Sequence, residues 1–257
     1  MHVVAVYGWE EASPEFIQSI AEPLQKTVYE VQQRIITGSP CVIASYADPH
    51  MAVELAAELK GRGVRVIGVN AETVHAGKDY IYVYRFDFYD TSLHIWTAED
   101  DHAEIPYEKI RVMLTGTSRV TETVTKVVEK KKISIGKTLL AGGVPIPKTV
   151  KHTEETESLH HGKYVYMYVG KRPQPIIFGQ DSMTYEGLGE NLQISHVLNF
   201  NYLVSELRRR SPGAVYDDRL VKRIGLVKLL GPTIDPDTNL DLAAEILSRS
   251  LRSEMHM

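Results

Sequence analysis

A chain of 257 residues can bury a full hydrophobic core and form one or two domains. Its formal net charge of -4 argues against a dedicated nucleic-acid-binding protein, which usually carries a basic excess. The apolar runs are too short to span a bilayer, and the single cysteine, Cys41, excludes an internal disulfide and a site with several cysteine ligands. The first residues lack the basic and apolar regions of a signal peptide, so we expect a cytoplasmic protein.

Strand and helix patterns alternate in the N-terminal part of the chain. Three short runs rich in Val or Ile predict strands: 2–8, 41–47 and 64–70. Ser13-Pro14 and Asp48-Pro49 each place an N-cap residue before a proline, so each should begin a helix. Pro23 lies inside the first helical pattern and should kink or split it. The predicted order is β-α-β-α-β, a small sheet covered by helices.

From about residue 79 the pattern changes to strands separated by turn residues, as in antiparallel β structure. The predicted strands are 80–90, 92–100, 104–116, 163–170 and 173–181. A long helix is predicted over 194–210, and two more helices over 215–231 and 240–253.

Two parts of the chain resemble known families. The segment CVIASYADPHMAVELAAELKGRGVRVIGV (41–69) resembles short bacterial signal-transducing α/β domains. The runs SLHIWTAEDDHAEIPYEKIRVM (92–113) and ISHVLNFNYLVSELRRR (194–210) resemble a pleckstrin-homology-like or GRAM-like module. That resemblance implies a bent β barrel closed by a helix, and binding of lipid headgroups, peptides or partner domains. The first hairpin, FDFYD (86–90), is acidic here, where headgroup-binding members often carry a basic cluster.

An unusual insertion interrupts the predicted β module at 119–157. A polar arm rich in Thr and Lys leads into the apolar segment ISIGKTLLAGGVPIP (133–147), and a second polar arm follows it. Valines alternate with polar residues in the first arm, which favours strands and therefore a long hairpin. The predicted interaction residues are Ile133, Ile135, Lys137, Leu139, Leu140, Val144 and Ile146.

Exposed aliphatic groups cost free energy unless something covers them, and burying each stabilises by about 1.5–3 kcal/mol. Three alternatives remain for how the apolar segment is buried. It folds back on its own domain, it binds a protein partner or a second copy, or it contacts a membrane surface. Lysines at 130–132 and Lys137 would favour an anionic membrane.

Basic residues near the C-terminal helices predict a second surface, which could dock an acidic lipid or protein or simply be solvated. They are Arg208, Arg209, Arg210, Arg219, Lys222 and Arg223. The first three end a helix, where cations interact favourably with the helix dipole.

Other groups of residues are weaker candidates for chemistry. Gly136-Lys137-Thr138 ends like a phosphate-binding loop, but Lys131 stands where that loop needs glycine. Three histidines, His152, His160 and His161, lie near glutamates without a spacing that defines a metal site. Ser45, Asp48 and His50 follow a strand, and Asp48 is explained as a helix cap.

These patterns predict an α+β protein with three parts. An N-terminal βαβαβ unit covers 1–76, an antiparallel pleckstrin-like β module covers 77–213 with its insertion, and a helical extension covers 214–257. The predicted function is a non-catalytic interaction or signalling protein, without cofactor or metal, which is a homo-oligomer or binds a protein partner or membrane surface. The alternatives are a nucleotide- or metal-dependent enzyme with its site near 45–50, and a small-molecule sensor whose two domains enclose a ligand.

Overall fold

The computed structural model describes residues 1–75, 80–133 and 147–255, with side chains described for 1–74, 80–117 and 162–255. The chain divides into two compact units. The first joins Met1–Ser118 to Gly162–Met257, and the second is Arg119–His161. The structure confirms the α+β class, because helices occur together with antiparallel and mixed sheets.

The elements of the N-terminal part are β1 (His2–Tyr7), α1 (Pro14–Leu24), α2 (Val28–Ile35), β2 (Cys41–Tyr46), α3 (Pro49–Gly61), β3 (Arg65–Asn70) and α4 (Ala71–His75). Next come the strands β4 (Ile81–Val83), β5 (Arg85–Phe88), β6 (Ser92–Trp96), β7 (His102–Pro106), β8 (Ile110–Ile133), β9 (Pro147–Val169) and β10 (Ile176–Gly179). The last elements are α5 (His196–Arg210), β11 (Val215–Leu220), α6 (Arg223–Leu230) and α7 (Leu240–Glu254).

The predicted helix starts are confirmed at their capping residues. The Ser13 hydroxyl accepts from the Phe16 N–H, and the Asp48 carboxylate accepts from the His50 N–H at 2.8 Å. Each satisfies a backbone donor that has no partner inside the helix. The predicted split at Pro23 is also confirmed, because α1 ends at Leu24 and α2 starts only at Val28.

The N-terminal sheet has the strand order β2-β1-β3, and β1 is antiparallel to both neighbours. Both faces of this sheet are covered. Val4 and Val6 face the side that packs against α1, α2 and α3, whereas Val3 and Ala5 face a second core that includes α6 and α7. Burial on both faces explains why β1 is almost uniformly aliphatic instead of alternating with polar residues.

A five-stranded sheet with the order β11-β8-β9-β10-β4 forms the centre of the first unit. Its residues alternate between two cores, as the two-residue period of a strand requires. Val112 and Leu114 of β8 face the core that contains α7, and Met113 faces the opposite core. That opposite core is closed by α5 and by the antiparallel sheet β5-β6-β7.

One secondary-structure prediction is wrong at its start. Residues 215–231 are predicted as one helix, but Val215–Leu220 is the strand β11, and only Arg223–Leu230 is helical. β11 pairs in parallel with β8, from Val215 opposite Val112 to Leu220 opposite Gly116. The open edge of β8 offers hydrogen bonds along a whole strand, and this pairing outweighs the helical spacing of the apolar residues.

The second unit consists of the strand backbones Arg119–Ile133 and Pro147–His161 in its described part, which we call the ribbon. These strands are the continuations of β8 and β9, which are neighbours in sheet order. The pairing of β8 with β11 ends at Gly116, and the pairing of β9 with β10 begins at Tyr164. Among the described residues, no third strand pairs with the ribbon.

Candidate functional site

A concave surface of the first unit lies between α2, β2 and α6. One cavity there has a volume of about 560 Å³. Its apolar wall consists of Val42, Ile43, Ala44, Ile224, Val227, Leu230 and Pro232. Its polar wall consists of Lys26, Glu30, Gln33, Arg34, Thr37, Lys228 and Thr233, with the Gly231 backbone between them.

A second cavity of about 350 Å³ adjoins the first one, with which it shares Thr37, Ile224 and Lys228. It lies between the turn 38–40 that leads into β2 and the junction of β11 with α6. We call the two cavities together the α6 groove. Cavities of this size are typical of small-molecule sites.

Arg34 holds the walls of the groove together. Its Nε donates to the Val42 carbonyl at 2.6 Å, and its two terminal nitrogens donate to the carbonyls of Lys228 and Leu229 at 2.7 and 2.6 Å. Those last two carbonyls belong to the final turn of α6, where they lack partners inside the helix. A cation there also interacts favourably with the helix dipole.

The charge of Arg34 is balanced by carbonyl dipoles and not by a carboxylate among the described residues. Burial of the guanidinium lowers its pKa, since removal from water disfavours the charged form. The three carbonyls and the Thr37 hydroxyl accept four of its five N–H groups. This leaves one N–H donor without an acceptor among these contacts, and a guanidinium without a carboxylate partner in the described part of the chain.

The rim of the groove is basic although the chain as a whole is acidic. Lys26, Lys222 and Lys228 are exposed at the rim, where they outnumber the exposed carboxylates Glu30 and Asp218. In the described part of the chain, neither Lys222 nor Lys228 lies within ion-pair distance of a carboxylate. The Glu30 carboxylate is engaged by the N–H and hydroxyl of Thr27 at 2.9 and 2.7 Å. The groove is therefore suited to an anionic ligand with an apolar body.

Three of the predicted basic residues lie at or beside this groove. Arg219 and Lys222 line its smaller cavity. Arg219 pairs with Asp217 and donates to the Ser39 carbonyl at 2.6 Å, which ties β11 to the turn before β2. Arg223 pairs with Asp237 at 3.3 Å.

The other three predicted basic residues have different partners. Arg208 stacks on the Tyr216 ring at 4.0 Å. Arg209 and Arg210 both pair with Glu206, at 2.6 Å each. Arg210 also donates to a backbone carbonyl in the loop before β6. Arg208 and Arg210 thus connect α5 to the strands and loops beside it, whereas the pair of Arg209 with Glu206 lies within the helix.

The predicted interaction residues of the apolar segment lie outside the described residues, from Ile135 to Ile146. Ile133 is the last residue of β8, and its side chain lies outside the description. The same holds for Gly136-Lys137-Thr138 and for the histidine side chains of the second arm, at 152, 160 and 161.

The residues near 45–50 lie at the end of β2 and the start of α3. Asp48 caps α3, as described above. Cys41 is fully buried, and burial raises the pKa of its thiol to about 11. A thiol in that state is not a nucleophile at neutral pH. Cys41 is therefore a core residue of β2.

A second surface, which sequence reasoning missed, lies on β5, β6 and β7. Arg85 stacks on the Trp96 ring at 4.1 Å, and Trp96 lies 4.7 Å from the His102 ring. The His102 Nε2 is 3.0 Å from the His94 Nδ1, and the Tyr89 ring follows at 4.2 Å from His94. Alternate positions on neighbouring strands bring these rings together. Such a row can stack against flat rings.

The comparisons with known proteins give no relative. No family model, no curated protein and no solved structure matches this chain. Within the described ranges, no group of three or more His, Cys, Asp or Glu is arranged to hold a metal ion. No helix among the described residues combines the length and hydropathy needed to cross a bilayer.

Proposed function

We propose that this chain is a non-catalytic cytoplasmic interaction protein, which binds a second copy of itself through the ribbon and the apolar segment that the ribbon flanks. The unpaired edges of the ribbon are the observation that supports this proposal most. Its strands, Arg119–Ile133 and Pro147–His161, pair with no third strand in the described part of the chain. Such edges present N–H and C=O groups that another strand can pair with.

The size of the ribbon supports the same proposal. A hairpin of two strands is marginally stable in water by itself, and three or more strands or a covering element are needed for stability. Strand addition from another chain would supply both hydrogen bonds and burial. The aliphatic side chains of the segment 133–146 would add a hydrophobic contribution on burial.

The charge pattern of the arms favours a second copy over other partners. Lys and Arg outnumber Glu in the first arm, 119–132, whereas Glu outnumbers Lys in the second arm, 148–161. The first arm of one copy would therefore attract the second arm of another, and opposite charges across paired strands stabilise the pair. The pleckstrin-like and signalling resemblances agree with a binding role and remain part of the proposal.

Light scattering on the full chain tests the proposal. We expect a mass above the 28.9 kDa of one chain, and a return to one chain when Leu139→Asp is combined with Leu140→Asp. The matched control is Leu192→Asp with Ile194→Asp, because both of these side chains are exposed in the first unit. The control should keep the mass of the unchanged protein, and thermal melting should be the same for all three.

Flotation with anionic vesicles distinguishes membrane binding from self-association. A monomeric protein that floats with the vesicles, and loses flotation in the Leu139→Asp/Leu140→Asp variant, would replace self-association by membrane binding. A monomer that does not float would remove the proposed role of the segment altogether.

A further inference from the structure

The α6 groove combines an aliphatic floor with unneutralised positive charge. No aromatic side chain is among the residues that line its larger cavity, and the apolar ones are Val, Ile, Ala, Leu and Pro. Ile224 lines both cavities and is 60 % exposed. A surface of this kind gains most from a flexible aliphatic chain, because burial of apolar area is non-directional.

A peptide that adds a strand to the sheet is not the ligand that the groove fits best. β2 is an edge strand, which a peptide could extend in principle. The Val42 carbonyl on β2, however, already accepts from Arg34, and the same guanidinium binds the last turn of α6. A peptide strand would have to displace this contact, whereas a chain without hydrogen-bonding groups along its length would not.

The positive charges at the groove favour a ligand whose polar end is negatively charged. Arg34 lacks a carboxylate among the described residues, and Lys228 borders both cavities without an ion pair in that part of the chain. Lys26 stands at the same rim, close enough to Glu30 for their charges to interact. A single carboxylate at the rim would offset one of these positive charges without bringing a second negative charge out of water.

We propose that the α6 groove binds a medium-chain aliphatic carboxylate, with its chain on the wall formed by β2 and α6 and its carboxylate at Lys228. This site is separate from the ribbon and goes beyond the proposed function. Because the ligand would contact elements that are far apart in sequence, binding would stabilise the junction of α2, β2 and α6.

Decanoate, used below its micelle concentration and followed by titration calorimetry, tests the proposal on the full chain. We expect saturable binding with one ligand per chain. Octanoate should bind about tenfold more weakly, because two methylenes fewer are buried. Decanol and decylammonium have the same chain without the negative charge, and both should bind at least about fivefold more weakly than decanoate.

Two pairs of variants locate the site. Lys228→Ala should weaken decanoate about fivefold and leave decanol unchanged, while Lys60→Ala, an exposed lysine outside both cavities, should change neither. The Lys228 substitution keeps the backbone carbonyl that Arg34 binds. Ile224→Asp should abolish binding, and Ile36→Asp is its control, because Ile36 is 73 % exposed and lines neither cavity.

The same experiments can overturn the proposal in three ways. Absence of saturable decanoate binding would remove it. Equal affinity for decanoate, decanol and decylammonium would leave only nonspecific apolar adsorption. If Ile224→Asp instead turns an oligomer into a monomer, and decanoate does not bind the unchanged protein, then the groove is covered by a second copy.

Discussion

Glu206 shows how one carboxylate can organise a helix end. It lies on α5 and accepts hydrogen bonds from Arg209 and Arg210, with distances between 2.6 and 2.9 Å. The hydrogen bond from Arg209 is the largest cause that lowers the pKa of Glu206, from 4.5 to about 2. Arg210 is in turn held against the Phe88 and Tyr107 rings. The carboxylate therefore fixes α5 to the β5-β6-β7 sheet.

The lowered pKa predicts how stability depends on pH. A group whose pKa is lower in the folded state contributes stability above its unfolded pKa, here about 4.5, and loses it as the pH falls toward 2. Glu206→Gln should therefore melt below the unchanged protein at pH 7, and the difference should shrink between pH 4.5 and 2. Glu190→Gln, at an exposed position, is the control and should melt normally at every pH. A difference that is constant with pH would assign the effect of Glu206 to packing.

Arg34 shows which residues sequence reasoning cannot find. In the sequence it is one of several polar residues on an amphipathic helix, and nothing distinguishes it from a solvated arginine. Its partners Lys228 and Leu229 lie 194 and 195 positions away. Only the fold brings them together, so the groove has no local signature. The opposite holds for Asp48, whose role as a cap depends on the next two residues alone.

At the scale of elements, the sequence predicts a helix start correctly where the hydrogen-bond partners of the capping residue lie within the next few residues. The helix predicted over 194–210 is α5, which starts at His196, where the Ser195 hydroxyl caps it by accepting from the Leu198 N–H. The strand β11 had no such signal. Its pairing partner β8 is about a hundred residues earlier, and the helical spacing of Leu220, Ile224 and Val227 favoured the wrong element.

Gly225 makes the turn from β11 into α6 possible. A Cβ atom at this position would lie 1.8 Å from the Arg219 carbonyl oxygen, which belongs to the backbone and cannot rotate away. Gly225→Ala should therefore shift α6 and destabilise the fold by at least about 1–3 kcal/mol in chemical denaturation. Since α6 lines the groove, decanoate affinity should fall as well.

Gly213→Ala is the matched control for this prediction. It precedes the same strand, and a Cβ atom there meets nothing within 4 Å. We expect a change within about 0.5 kcal/mol, as for an ordinary surface substitution. Equal stability of the two variants would show that the β11 to α6 turn can open without cost, and would contradict the contact with Arg219.

At the scale of the molecule, one hydrophobic core joins parts of the first unit that are far apart in the sequence. Residues of β1, β3, β8, β9 and α7 all contribute to it. α7 is buried along most of its length, and Tyr166 of β9 donates to Asp241 of α7 at 2.5 Å. β1 is aliphatic and buried on both faces, but periodicity cannot say what covers each face, or that both neighbouring strands are antiparallel.

This shared core predicts that the N-terminal sheet and the β module unfold together. The two tryptophans report on opposite parts, because Trp9 lies beside Phe16 of α1 and Trp96 lies on β6. In Trp9→Phe and Trp96→Phe single-tryptophan variants, fluorescence should give coincident midpoints in urea.

A substitution in α7 sharpens the test. Ile246 is fully buried between the two sheets, so Ile246→Ala should cost about 2–5 kcal/mol and lower both midpoints equally. Leu192→Ala, at a half-exposed position, should lower neither. If Ile246→Ala lowers the midpoint reported by one tryptophan and not the other, the N-terminal unit folds independently, and the boundary predicted near residue 76 separates two domains. Coincident shifts mean that α7 joins them into one cooperative unit, because loss of its side chain then removes contacts from both sheets at once.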